Sequence, residues 1–273
     1  MFGGILEAVN NVLVQVITLA TNLKDLPMDV QELSRKIEVQ NQQLAVLLNS
    51  PSTLIDDQVR RASDRATSAL LRIQAPSGHS HGTGFFISSD GFLLTACHVS
   101  RGINGDESGD CAAKILFGHN VQCKLVLDFP EVDISIRKVD GCESLPFLSP
   151  ASDLTIGDEV IISGFSLENP GMLYWPNITG GRISTRVVTP EATNAIHQLA
   201  DVNMNKGVSG GPVINLASQR FVGVAFTRTV VDLLDHGQAA FTLVTSQSPM
   251  WVAIQEAVGK YRDIHRADNG ADE

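Results

Sequence analysis

The residues that could do chemistry in this chain start with Gly207-Val208-Ser209-Gly210-Gly211-Pro212. A serine set between glycines permits a sharp turn, and glycines without a Cβ let backbone amides approach a substrate carbonyl. The amides of Gly207 and Ser209 would then converge as an oxyanion hole. Upstream, Gly82-Thr83-Gly84-Phe85-Phe86-Ile87 leads through a hairpin signal, Asp90-Gly91, to Thr95-Ala96-Cys97-His98-Val99. Val132-Asp133-Ile134-Ser135-Ile136 follows. An aspartate inside an apolar strand costs stability unless hydrogen bonds meet its charge, and His98 would be that partner. Each piece alone has a plainer reading. A Gly-Gly-Pro turn is a common loop, and a histidine ending an apolar strand is more often a satisfied core residue. Together the three arrive in the order His98, Asp133, Ser209.

On these strings the chain resembles the trypsin-like (chymotrypsin-fold) serine proteases, and most of all their disulfide-poor HtrA/Deg-type branch. The strings are GTGFFISSDGFLLTACHV at 82–99, DISI at 133–136 and ADVNMNKGVSGGPVIN at 200–215. The resemblance covers residues 65–250. It implies a mainly β fold class, with two six-stranded antiparallel barrels and the active site in the cleft between them. It also implies that Ser209 attacks a peptide carbonyl while His98 takes its proton. Asp133 would hold the imidazole tautomer and stabilise the imidazolium. Such an enzyme takes a protein or peptide substrate and requires no cofactor and no metal.

The departures from the family are informative. Secreted trypsin-like enzymes carry an aspartate before the serine, which pairs with a new N-terminus after cleavage; here that place is Val208. The cysteine usual after the histidine is Val99, so the bracketing disulfide is absent. Cys97 is read as a packing thiol, because Ser209 already occupies the nucleophile motif. By the same resemblance, Asn203, Val224, Phe226 and Ala239 would line the specificity pocket. None is acidic, so cleavage is expected after an uncharged, small or aliphatic residue, although Arg228 lies near this wall and leaves an acidic preference open. The chain after residue 248 is too short for the PDZ domain that HtrA-type proteins usually carry. A latent enzyme, or a pseudoprotease acting as a peptide-binding or signalling adaptor, is the alternative reading.

The elements that must position these residues show as short β-type runs separated by turn signals. They include Ala69–Ile73, Gly84–Ile87, Phe92–Thr95, Lys114–Phe117, Ile134–Ile136, Val160–Ile162 and Phe221–Ala225. A barrel boundary is expected near residue 145. Trp251, Ile254, Val258 and Tyr261 predict a C-terminal helix, followed by an acidic tail, over 251–273. The first 54 residues have a different texture. Apolar residues from Ile5 to Leu23, and again from Val30 to Leu48, recur at helical spacing on either side of Pro27. This predicts a helical hairpin, a regulatory or self-associating module joined by a linker over 55–64. The string at 22–47 also resembles the helical N-terminal domains of fungal NOD-like (STAND) receptors, which implies homotypic association.

Composition bounds the function classes. Apolar residues make up 43% of the 273 and charged residues 18%, which describes a globular chain. With 20 basic and 30 acidic side chains the net charge is −10, unsuited to holding nucleic acid through a general positive field. Aromatics at 5% argue against a stacking platform for single strands. The early apolar stretch from Val12 to Ala20 is too short to span a bilayer. Cys97, Cys111, Cys123 and Cys142 contain no CxxC pair, so zinc is not expected. Reduced thiols and the lack of a targeting signal point to a cytoplasmic protein.

Overall fold

The computed structural model describes residues 51–74, 81–101, 109–115, 120–166, 176–188, 196–200, 204–226 and 239–269, together with Val14. The expected N-terminal hairpin otherwise lies outside the described residues. The chain divides into two units, residues 1–57 and 58–273, and the fold below is that of the second.

Among the described residues, twelve strands close into two antiparallel barrels. The first comprises β1 (Leu70–Gln74), β2 (His81–Phe86), β3 (Phe92–Thr95), β4 (Cys111–Ile115), β5 (Asn120–Phe129) and β6 (Ile134–Lys138), in the spatial order β1-β2-β3-β6-β5-β4. The second comprises β7 (Glu159–Gly164), β8 (Asn177–Val188), β9 (Ile196–Ala200), β10 (Pro212–Asn215), β11 (Arg220–Phe226) and β12 (Ala239–Leu243), ordered β10-β11-β12-β9-β8-β7. The described helices are α1 (Pro51–Ala69), which belongs to this unit from Gln58 onward, α2 (Cys97–Arg101) and α3 (Pro249–Asn269).

Strand alternation sends side chains to two different cores. In β2, Phe86 fills the first barrel with Leu71, Ile73, Leu93, Cys111, Ala113 and Cys123. Phe85 points the other way, into a seam core shared by both barrels with Leu70, Ile134, Ile161, Ile214, Phe221 and Val224. The second barrel has its own interior around Val160, Ile162, Val208, Val213 and Phe241. Helices close the seam. On α1, Ala62, Ala66 and Ala69 are fully buried, while Arg60, Arg61, Asp64 and Arg65 face solvent. The segment 55–64, expected to be a linker, is therefore helical: alanines three and four residues apart make a face slim enough to lie on the seam. Ile254 and Val258 of α3 reach the same core. Trp251 packs edge-on against Phe221 at 5.8 Å, and Tyr261 edge-on against Phe92 at 5.6 Å.

Candidate active site

Asp133 does not sit inside a strand as the sequence pattern predicts. It follows the 3-10 turn Pro130–Val132 and adopts a left-handed backbone, φ 56° and ψ 37°, just before β6. Its N–H donates to the Pro130 carbonyl at 3.3 Å, closing the turn. Proline presets the first φ of that turn, and aspartate is among the few side chains that tolerate the left-handed region. The result swings the carboxylate out of the strand toward α2.

His98 lies in the first turn of α2 and not at the end of β3. The leading N–H groups of a helix have no partner within it. Here Asp133 supplies the acceptors. Its carbonyl takes the Cys97 N–H at 3.2 Å, and Oδ1 takes the His98 N–H at 3.0 Å. Oδ2 lies 2.6 Å from His98 Nδ1. A carboxylate accepts, so Nδ1 is the donor, and in the neutral ring this tautomer leaves the lone pair on Nε2. The thiol of Cys97 donates to the Ile134 carbonyl at 2.8 Å. Burial, then the Asp128 and Asp133 carboxylates, push its pKa up to about 12.

A buried ionic network, missed in the sequence, backs this helix. Arg137 of β6 is fully buried, and its side chain turns into the first barrel. It donates to Ser135 Oγ at 2.6 Å, to Ser100 Oγ on α2 at 2.9 Å and to Asp128 at 3.3 Å. Arg101, at the end of α2, donates to the same aspartate at 2.6 Å. The signal available in the sequence is Arg137 itself, two residues beyond Ser135 and so on the same side of the strand.

Ser209 is 4% exposed and belongs to the second barrel, yet its carbonyl accepts the N–H of Thr83 in β2 at 2.8 Å. The next residue, Gly210, has φ +86°, and a Cβ there would fall on the Thr83 carbonyl and 2.5 Å from Thr95 Oγ1. The serine turn thus sits against the end of β3, and His98 follows Thr95 by three residues. Val208 is buried in the interior of the second barrel. Its N–H reaches the Asn205 carbonyl at 3.3 Å, and its carbonyl accepts the Gly211 N–H at 2.9 Å.

Residues 82–224, more than half of the chain, match the trypsin-like peptidase domain. The chain belongs to that family. The peptidase domain is similar to a probable periplasmic serine endoprotease, DegP-like, of Pseudomonas putida, with 32% identity over 156 residues. That match covers 54% of this chain and 30% of the relative. A protein of the same description from Rickettsia conorii is 29% identical over 157 residues, covering 55% of this chain and 29% of the relative. The chain thus matches under a third of these relatives' length. The fold is shared with the serine endoprotease of Yersinia pestis, at a TM-score of 0.54 and 23% identity, covering 72% of this chain and 64% of that one.

These relatives correct the expected location. They are named periplasmic, so the inference from reduced thiols to the cytoplasm does not stand. The thiols themselves are free, with Cys97, Cys111 and Cys123 buried. Cys111 and Cys123 stand opposite each other across β4 and β5, and the neighbouring Cys111 thiol and burial push the Cys123 pKa up. A free thiol in a barrel interior reports packing more than compartment.

The expected pocket residues are less gathered. Val224 and Phe226 are buried on β11, and Val224 contributes to the seam core. Ala239 opens β12, opposite Ala200, and the β11 end meets it through the Phe226–Ala240 pair. Asn203 and Arg228 lie outside the described residues.

Proposed function

We propose that this chain is a serine endopeptidase that works through an acyl-enzyme, with Ser209 as nucleophile, His98 as general base and Asp133 as the carboxylate that orients it. The observation that carries the reading is the Asp133 grip on His98. One carboxylate holds both the backbone N–H and Nδ1, which leaves Nε2 as the base. Nε2 takes the Ser209 proton during attack and returns it to the leaving amine. The amides of Gly207 and Ser209 would stabilise the tetrahedral oxyanion; loss of one such donor costs about 10²–10³ in rate. The substrate is a protein or peptide cut after an uncharged, small or aliphatic residue. Residues 1–50 regulate the enzyme, by self-association or through a homotypic helical partner.

A fluorophosphonate probe tests the core of this reading. Labelling of the full chain that disappears in Ser209→Ala is the expected result. Equal labelling of both proteins would remove Ser209 from the nucleophile role. Labelling only after removal of residues 1–50 would show that the N-terminal segment restrains the site. No labelling of either form would favour a latent or peptide-binding protein.

A further inference from the structure

The serine turn is held from within and from outside, and the two sets of bonds constrain different amides. In a planar trans peptide the N–H points opposite to the carbonyl of the same unit. The Val208–Ser209 unit has its carbonyl taken by the Gly211 N–H at 2.9 Å, inside the turn. That bond directs the Ser209 N–H to the opposite side. The Ser209–Gly210 unit is pinned at both ends, by the Thr83 N–H at 2.8 Å and the Ala225 carbonyl at 2.7 Å.

The Gly207–Val208 unit, between the Gly207 and Ser209 amides, is governed differently. Gly207 has φ +95°, a conformation in which glycine turns about as easily as in any other. Its carbonyl accepts not from the turn but from the hydroxyl of Thr83, at 2.9 Å and 124 residues away in the chain. The same hydroxyl accepts the N–H of Phe165, just after β7, at 2.9 Å. The carbonyl of Thr83 accepts from Thr95 Oγ1 at 2.6 Å. Thr83 is fully buried, and every polar group it owns is engaged. Space for the hydroxyl comes from Gly164, where a Cβ would lie 2.7 Å from Thr83 Oγ1 and 2.9 Å from the Val208 Cα.

We propose that Thr83, on the first barrel, is the positioning residue for the oxyanion site: its hydroxyl anchors the Gly207–Val208 peptide, the unit that lies between the Gly207 and Ser209 amides and sets their relative placement. The residue touches neither substrate nor reacting atoms; it acts through Gly207. Without the hydroxyl, the Gly207–Val208 unit loses its anchor, and rotation about the Gly207 Cα can then move the preceding Gly207 N–H away from that of Ser209. The inference rests on the proposed acyl-transfer reading, and it gives the inter-barrel seam a role in switching that site.

The test uses the full chain and compares Thr83→Val, which keeps the shape and removes the hydroxyl, with Thr83→Ser, which keeps the hydroxyl. For Thr83→Val, kcat on a peptide substrate is expected to fall about 10–100-fold with little change in KM, because a transition-state contact is lost. A peptide aldehyde, whose adduct with the serine carries the oxyanion, should weaken in parallel. Thr83→Ser should return both to within about threefold of wild type. Hydrogen exchange of the segment 205–211 provides a readout independent of turnover: it should accelerate in Thr83→Val and not in Thr83→Ser. Exchange there that is unchanged in Thr83→Val, or an equal loss of kcat in both variants, would overturn the role of the hydroxyl. Accelerated exchange in a protein whose Ser209 is never labelled by fluorophosphonate would support the Thr83 contact while sinking the acyl-transfer reading.

Discussion

At the scale of single residues, Asp133 does three jobs with one short turn. It ends a 3-10 turn, accepts the first two N–H groups of α2 and faces His98 Nδ1. Asp133→Asn retains the shape and can still accept through its carbonyl oxygen, but it no longer enforces the tautomer that leaves Nε2 free. On the proposed mechanism kcat should fall about 10⁴-fold, with thermal stability changing far less. Cys97 makes a second prediction. Its thiol is 5% exposed, with a pKa pushed up to about 12, so little thiolate exists at pH 8. Alkylation of the native protein at that pH should modify the half-buried Cys142 first and leave Cys97 intact, as read by peptide mass mapping. Rapid modification of Cys97 would reopen its reading as a nucleophile. Gly210 makes a third. Alanine there combines a positive φ with a collision against the Thr83 carbonyl. Gly210→Ala is expected to lose both fluorophosphonate labelling and the native melting transition.

At the scale of elements, the placement of α2 depends on a buried charge network. Asp128 is the shared acceptor of Arg101 and Arg137, and its side chain is 4% exposed. Removing its charge leaves the fully buried Arg137 without an anion. Uncompensated buried charge is expensive, so Asp128→Asn should cost about 3 kcal/mol in denaturant unfolding. The C-terminal helix is held mainly by apolar contact, and Phe221, which meets both Phe85 and Trp251, is the hinge of that contact. Phe221→Ala should cost about 3–5 kcal/mol. The Asp90–Arg262 pair adds a smaller, pH-dependent part. Burial alone would raise the Asp90 pKa, but hydrogen bonds from Arg262 and Ser88 prevail and hold it below the usual value. A lowered folded-state pKa means that the stabilisation is present above the unfolded carboxylate pKa. It is lost as pH falls through the folded value. The pair is largely exposed, so the gain is under about 1 kcal/mol. The stability difference between wild type and Asp90→Asn should therefore shrink toward zero in acid; a difference that grows there would contradict the assignment.

At the scale of the whole molecule, the two barrels share one core and exchange buried hydrogen bonds. Thr242 of β12 donates to the Val132 carbonyl at 2.6 Å, beside the turn that presents Asp133. Thr83 makes the reciprocal reach toward the second barrel. A shared seam predicts that residues 58–273 melt in a single cooperative transition, with calorimetric and van't Hoff enthalpies in agreement. Two separate transitions would show the seam to be weaker than its burial suggests. Removal of residues 1–50 tests the proposed regulation at the same scale. The expected outcome is a changed rate of Ser209 labelling with an unchanged melting transition of the peptidase domain, whereas an unchanged rate would dismiss the regulatory role.

The local chemistry was written in the sequence by itself. Strand alternation around Phe85-Phe86 and Leu93-Leu94, the Asp90-Gly91 hairpin and the Gly-rich serine turn are short-range features set by sterics and side-chain polarity. So was the C-terminal helix, whose apolar spacing is regular. Strands such as β5 and β8 were not legible, because polar residues interrupt them and their pairing partners are remote. Segment 55–64 looked like a linker because its charges dominate the pattern, while the alanines that bury it are individually weak signals. The left-handed turn at Asp133 and the long reach of Thr83 to Gly207 were decided only by tertiary structure. Each depends on a partner distant in the chain, and a hydrogen bond between such groups exists only once both barrels have closed around the seam.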